Sequence, residues 1–243
     1  MYGWRAKLGI LVPSVNTVME PELNRLAPDG VSIHAARLKL VGEFTPKNLI
    51  QMTKETQHAA EELKGVVDVI AYGCTSGSFV KGMNWDTEII AQITKATNLP
   101  ATTTSTAVVK ALKKTNLKKI SMATPYPDEV NQLEKEFLEN HGFEVIAMKG
   151  LNFRESSALA RARARNRFSA SIAYKLAKEV NTGKSDGIFI SCTHFKTIEV
   201  LEKLEQDLEK PVISSNQATM WEMLRMVAVR EPIKGYGSLL LEY

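Results

Sequence analysis

Two patterns of apolar and polar positions alternate along the chain. One is a short, continuous apolar run rich in β-branched residues; the other is a longer stretch with apolar residues three and four apart. The first predicts strands at Lys7 to Val12, Val31 to Leu38, Asp68 to Cys74, Pro100 to Thr104, Lys119 to Ala123, Phe143 to Met148, Asp186 to Cys192 and Pro211 to Ser214. The second predicts helices at Val18 to about Leu26, Pro46 to Lys64, Asp86 to Asn98, Ala107 to Lys114, Asp128 to Asn140, Ile198 to Leu208 and Gln217 to Val229. A basic segment from Ser156 to Val180 reads as mostly helical, and Gly and Ser residues after Cys74 read as a loop. Thr45 followed by Pro46 is a helix-start signal, a capping hydroxyl ahead of a proline at the first helical position. Strict strand and helix alternation implies an α/β fold of parallel sheets covered by helices.

The chain also repeats. Pro13 and Pro125 are 112 positions apart, Cys74 and Cys192 118, Pro100 and Pro211 111, and Ala107 and Ala218 111, each pair at the same point of its unit. Duplication of a four-strand α/β unit accounts for that order and spacing. The only two cysteines, Cys74 and Cys192, end matching strands. Strand carboxyl ends are where open α/β sheets place their ligand crevice, so the two thiols are expected to face each other across it.

Composition narrows the picture. Of the 243 residues, 44% are hydrophobic and 24% charged, as in an ordinary globular protein with length enough for a core. The formal charge of +4 comes from basic residues interspersed with Asp and Glu, which argues against nucleic acid as a partner. No apolar run reaches membrane-spanning length, and a strand following closely on Met1 leaves no room for a signal peptide, so a cytoplasmic location is expected. In that compartment two cysteines are expected to be free thiols rather than a structural disulfide. No zinc-spaced cluster, Walker loop or dinucleotide fingerprint is present, and no cofactor or metal is expected.

The stretches from Val12 to Glu22, Gly73 to Ser78, Ala123 to Tyr126, Ser191 to Thr193 and Ser215 to Trp221 resemble the aspartate/glutamate racemase superfamily, and within it the branch of maleate cis-trans isomerases and arylmalonate decarboxylases. The resemblance covers nearly the whole chain. It implies two pseudo-symmetric domains, each a four-stranded parallel sheet flanked by helices, with the active site in the cleft between them. The first would comprise residues 1–105 with a returning 217–243 and carry Cys74; the second, 106–216, would carry Cys192. It further implies cofactor-independent catalysis on a small carboxylate or dicarboxylate, in a homodimer or homotetramer. Arylmalonate decarboxylases keep only the second thiol and have glycine at the first, because decarboxylation leaves a carbanion needing one proton donor. With both thiols present, isomerisation of an unsaturated diacid such as maleate is the first expectation, racemisation or epimerisation of an amino or hydroxy acid the second. A decarboxylase and a non-catalytic acid-binding module stand behind them.

By the same resemblance Cys74 is the expected nucleophile and Cys192 its acid/base partner. Asn16, Thr75, Ser76, Tyr126 and Thr193 match positions that bind substrate carboxylate, although each hydroxyl is also a reasonable turn or helix cap. Tyr126, between Pro125 and Pro127, has a rigid setting suited to a fixed donor. Backbone N–H groups at the strand-to-helix turn are expected to favour a Cys74 thiolate. Ser14, Ser156 and His194 are further candidates. Where the isomerases carry another asparagine this chain has Arg154-Glu155-Ser156-Ser157, and a serine there would hold the second carboxylate differently. His194 could tune Cys192 as a base or serve as a cap. The run from Arg161 to Arg167 reads first as a solvated or subunit-contact face and second as an anion clamp. Asn216 and Gln217 read as caps of the last long helix, with Met220, Met223, Leu224 and Val227 as core or dimer interface.

Overall fold

The computed structural model describes residues 2–153 and 157–243. The first unit contains strands β1 (Ala6–Pro13), β2 (Val31–Leu38), β3 (Val69–Tyr72) and β4 (Ala101–Thr103), with helices α1 (Met19–Leu26), α2 (Pro46–Thr53), α3 (Thr56–Glu61), α4 (Thr75–Phe79) and α5 (Trp85–Thr97). Helix α6 (Thr104–Lys114) leads into β5 (Lys119–Thr124), α7 (Asp128–Asn140), β6 (Glu144–Gly150), α8 (Ala158–Arg165), α9 (Ala170–Val180), β7 (Gly187–Ile190), α10 (Leu201–Leu208) and β8 (Val212–Ser214). Helices α11 (Ser215–Met226) and α12 (Ser238–Glu242) end the chain.

Both sheets are parallel and four-stranded, ordered β2-β1-β3-β4 and β6-β5-β7-β8, so the repeat read from residue spacing is a repeat of topology. Side chains obey it too. Asp68 Oδ2 accepts from the Lys7 N–H at 2.7 Å, and Asp186 Oδ2 from the Lys119 N–H at 2.8 Å, each pinning the third strand of its unit to the first. Thr103 caps α6 and Ser214 caps α11, the latter in a reciprocal capping box with Gln217. The two central strands of each sheet are covered on both faces, which is why β3 and β7 read as unbroken apolar runs with every residue buried.

One apolar cluster runs from β1 and β3 through α6 and α11 into β5, β7 and β8. Met220, Met223 and Leu224 of α11 lie in it fully buried. At about 1.5–3 kcal/mol per buried large side chain, these residues lock α11 against α6 and the two units to each other. Thr219 Oγ1 donates to Thr104 Oγ1 at 3.2 Å, and Lys110 pairs with Glu222, across the same contact.

Local structure departs from the pattern-based expectation in two places, while the basic segment is mostly helical as expected. The helix expected from Pro46 to Lys64 starts as expected, capped by Thr45, but breaks into α2 and α3. Thr53 returns its hydroxyl to the Leu49 carbonyl at 3.0 Å and shares a bond with the Tyr72 hydroxyl, while Lys54 and Glu55 tighten to bonds three residues back. The loop expected after Cys74 is instead α4, where Ser78 Oγ closes onto the Cys74 and Thr75 carbonyls. The basic segment forms two helices, separated where Phe168 turns in to pack edge-on against Phe153 and Phe195. Among the described residues no helix is long and apolar enough to cross a membrane.

Candidate active site

Cys74 and Cys192 follow β3 and β7 directly and line one cavity of about 30 Å³ between the units. Both cysteines are buried, each 5% exposed and each packed at the margin of an apolar cluster, and the cavity is what reaches them. The remaining lining combines apolar side chains, Val15, Leu40, Phe44 and Leu49, with polar ones, Asn16, Ser76, Tyr126, Arg165, Thr193 and His194.

The two thiol-bearing turns are tied across the cleft. Thr193 Oγ1 donates to the Gly73 carbonyl at 3.1 Å and accepts from Asn16 Nδ2 at 3.0 Å. The other end of Asn16 accepts the Val18 and Met19 N–H groups, at 2.9 and 3.1 Å, which fixes its orientation and opens α1. In the mirrored position Thr75 Oγ1 donates to Ser215 Oγ at 3.0 Å, and Ser215 Oγ accepts the Cys192 N–H at 3.0 Å. Behind them Glu22 of α1, buried, accepts from the Thr197 and Ile198 N–H groups at 2.7 and 3.3 Å and from Asn216 Nδ2 at 2.6 Å. Burial pushes its carboxyl up while those bonds pull it down. Asn216 is therefore a cross-unit tie rather than a cap, and Gln217 completes the capping box of Ser214.

The two cysteines differ in setting. Burial pushes the Cys74 thiol up to about 11, although the Gly77 N–H, the Ser76 hydroxyl and, more weakly, the Arg165 charge favour the thiolate. The expected activation by the turn is present but outweighed by burial. Cys192 has φ +97°, a conformation costing a non-glycine residue about 1–3 kcal/mol. It is held there by the Ser215 hydroxyl on its N–H and by its carbonyl accepting from Phe195 at 3.2 Å. Strain of this kind aims a side chain, and the Cys192 sulfur receives the His194 N–H at 3.3 Å and Arg165 Nη1 at 3.1 Å.

A family model described as arylmalonate decarboxylase matches residues 8–240. The chain belongs to that family. It is 29% identical over 238 residues to the arylmalonate decarboxylase of Bordetella bronchiseptica, covering 97% of this chain and 96% of that one. It is 25% identical over 247 residues to a maleate isomerase of Pseudomonas putida, covering 96% of each. Among solved structures, the maleate isomerase Iso of Pseudomonas putida superposes with a TM-score of 0.90 at 23% identity, covering 98% of both chains. Unliganded arylmalonate decarboxylase superposes at 0.80 with 26% identity, covering 98% of this chain and 100% of that one. The expected branch of the superfamily and the expected pair of four-stranded units are thus both found.

Of the residues the family resemblance suggested, Asn16, Ser76, Tyr126, Thr193 and His194 share the cavity wall with both thiols. Tyr126 is buried, stacked on Phe44 with ring centroids 5.6 Å apart, and its phenol is pushed far up by burial and by the neighbouring Cys192 and Glu134. His194 Nε2 meets Asn166 Oδ1 at 3.2 Å. The Thr75 hydroxyl is outside the wall, spent on Ser215, and Ser14 Oγ accepts the Leu40 N–H at 3.2 Å, bracing the loop after β2. Ser156 lies outside the described residues. Among the described residues no group of three or more His, Cys, Asp or Glu could hold a metal ion.

Two residues outside the candidate set stand at the site, one of them from the basic run whose second reading was an anion clamp. Arg165, given first to an exposed face, is 2% exposed and bonded to Cys192, while Arg163 and Arg167 are exposed. Glu134 of α7 is fully buried and accepts from the Ser191 hydroxyl beside Cys192. Burial pushes its carboxyl up to about 8 against that bond. Neither carries a sequence signal: the alternating Arg and Ala of α8 give all its arginines the same local context, and Glu134 sits among other acidic residues of an amphipathic helix.

Proposed function

We propose that the protein is a cofactor-independent isomerase that converts a cis unsaturated dicarboxylate such as maleate to its trans form. The observation that carries this reading is the convergence of Cys74 and Cys192 on one cavity whose other polar lining is almost wholly of hydrogen-bond donors. Cys74, once ionised, adds to one olefinic carbon. The π pair moves onto the adjacent carbon and its carboxylate, and the former double bond becomes a single bond that can rotate. Return of that pair expels the thiolate and leaves the trans diacid. Cys192 stands as the acid/base partner, taking up the Cys74 proton and holding or protonating the opposite side of the intermediate.

Charge growing on the carboxylate needs donors already in place, because donors fixed in a dry site need no reorganisation during reaction. Ser76, Tyr126 and Asn16 are the proposed donors, with Thr193, whose hydroxyl is held by the Gly73 carbonyl, orienting the Asn16 amide. Loss of one such donor costs about 100-fold to 1,000-fold in kcat by analogy with other oxyanion sites. The relatives support the chemistry: a cysteine-to-serine variant of the Nocardia farcinica maleate cis-trans isomerase is described with a covalently bound succinylcysteine intermediate. A diacid is larger than the resting cavity, so binding displaces part of the wall.

The 29% identity to an arylmalonate decarboxylase favours a second reading. There Cys192 alone would protonate the carbanion left by carbon dioxide, with the aryl group against Leu40, Phe44 and Leu49. Proton NMR of the protein with maleate in deuterium oxide separates the readings. Fumarate without solvent deuterium supports isomerisation; no fumarate, with carbon dioxide from phenylmalonate, supports decarboxylation; deuterium at the α carbon of an amino or hydroxy acid supports racemisation.

A further inference from the structure

The Arg165 guanidinium is a buried cation with no carboxylate partner among the described residues. It enters none of the described ion pairs, and its Nε and Nη2 are buried with no hydrogen-bond partner among the described residues. Only Nη1 is engaged, on Cys192 Sγ. The rings of Phe44, Tyr126 and Phe153 surround its carbon at 5.7, 5.8 and 5.9 Å, which offsets part of the desolvation and holds the plane of the group without occupying its donors. Buried polar atoms are nearly always paired, and buried charges more so, so two idle N–H groups on a residue that lines the cavity point to an acceptor that reaches them when the site is filled.

The idle atoms are also the right ones. With Nη1 held by sulfur, Nε and Nη2 remain as one edge of the fork, two parallel donors that match the two oxygens of a carboxylate. Among the described lining residues none is Asp or Glu, and Arg165 is the one with a permanent charge. The neutral donors Asn16, Ser76 and Tyr126 can serve a first carboxylate. They leave nothing charged for a second.

We propose that Arg165 is the specificity-determining residue of the site, its Nε/Nη2 edge binding the second carboxylate of a dicarboxylate substrate while Nη1 keeps that end of the molecule beside Cys192. This rests on the reading of the cavity as a small-acid site but not on which reaction occurs there. Monoacids then bind poorly because they leave the fork unpaired, and a neutral residue at 165 removes the discrimination rather than binding as such.

Calorimetric titration with succinate and with butyrate tests this without turnover. The native protein is expected to bind succinate at least about tenfold more tightly than butyrate, Arg165→Gln to bring the two within about twofold, and Arg165→Lys, keeping charge but not fork, to fall between. If Arg165→Gln does not fold, Arg165→Lys carries the test, with weakened succinate and unchanged butyrate binding expected. A native protein without diacid preference, or a preference unchanged in the variants, overturns the proposal. Absence of fumarate from maleate alongside an Arg165-dependent succinate preference would remove the isomerase reading and leave the clamp standing.

Discussion

Glu134 provides a quantitative test of how the site is supported. Its carboxyl, buried behind Cys192 and bonded on one side only by Ser191, is pushed from an ordinary value near 4.5 to about 8. The unfolded chain therefore gives up this proton near 4.5 while the folded chain keeps it to about 8, and between those values folding takes up a proton. Below the window both states are protonated and the group makes no difference; as pH rises through it, stability falls, at up to about 1.4 kcal/mol per pH unit and about 5 kcal/mol across the window as an upper bound. Glu134→Gln keeps an acceptor for Ser191 and removes the titration. Urea unfolding of both proteins from pH 5 to 8 is the assay, read as the difference between them so that other titrating groups cancel. The variant is expected to gain on the native protein steadily with pH, reaching a plateau above about 8. Parallel curves would refute the reasoning, because they would mean that Glu134 ionises in the fold as it does in the unfolded chain.

Other outcomes follow from the same geometry. Glu22→Ala orphans the Thr197 and Ile198 N–H groups and the Asn216 amide, at about 1–3 kcal/mol per buried unpaired donor, so urea unfolding should register a loss of about 3 kcal/mol or more. Gly77→Ala places a methyl 2.6 Å from the Tyr72 hydroxyl and 3.2 Å from the Cys74 sulfur. It should cost about 1–3 kcal/mol by overpacking and lower turnover further by displacing the thiol. In a Cys192→Ser variant, the rate of Cys74 alkylation by iodoacetamide should keep climbing with pH toward about 11, since only the thiolate reacts and burial delays its formation. A rate that levels in the ordinary thiol range would show that burial does not delay the thiolate, and one that levels below it that Cys74 is activated in the resting site.

The fold was legible because each unit writes its strands plainly. The segments that became β3 and β7 are unbroken apolar runs, and matching Pro, Cys and Ala positions reveal the duplication from the sequence alone. The thiols were legible for the same reason, since a cysteine closing a buried strand must end at a sheet's carboxyl edge. What could not be read is the direction of side chains in turns. Thr75 and Thr193 follow equivalent cysteines, yet the first donates to the Ser215 hydroxyl and the second to the Gly73 carbonyl, partners that no composition signals. Arg165 was hidden by its company: its burial depends on how α8 docks over the cleft, which depends on contacts far away in sequence. Helix α4, built from Thr75-Ser76-Gly77-Ser78-Phe79, has weak intrinsic helix propensity and forms through side-chain bonds to its own turn.

The central claim is that Cys74 forms and breaks a covalent bond to a diacid with Cys192 as its partner. Intact-protein and peptide mass spectrometry of the Cys192→Ser variant incubated with maleate measures this directly. A gain equal to one maleate, located on the peptide containing Cys74 and absent from a Cys74→Ser, Cys192→Ser double variant, is the expected result. No adduct on Cys74, in a protein that still converts maleate to fumarate when Cys192 is intact, would contradict it.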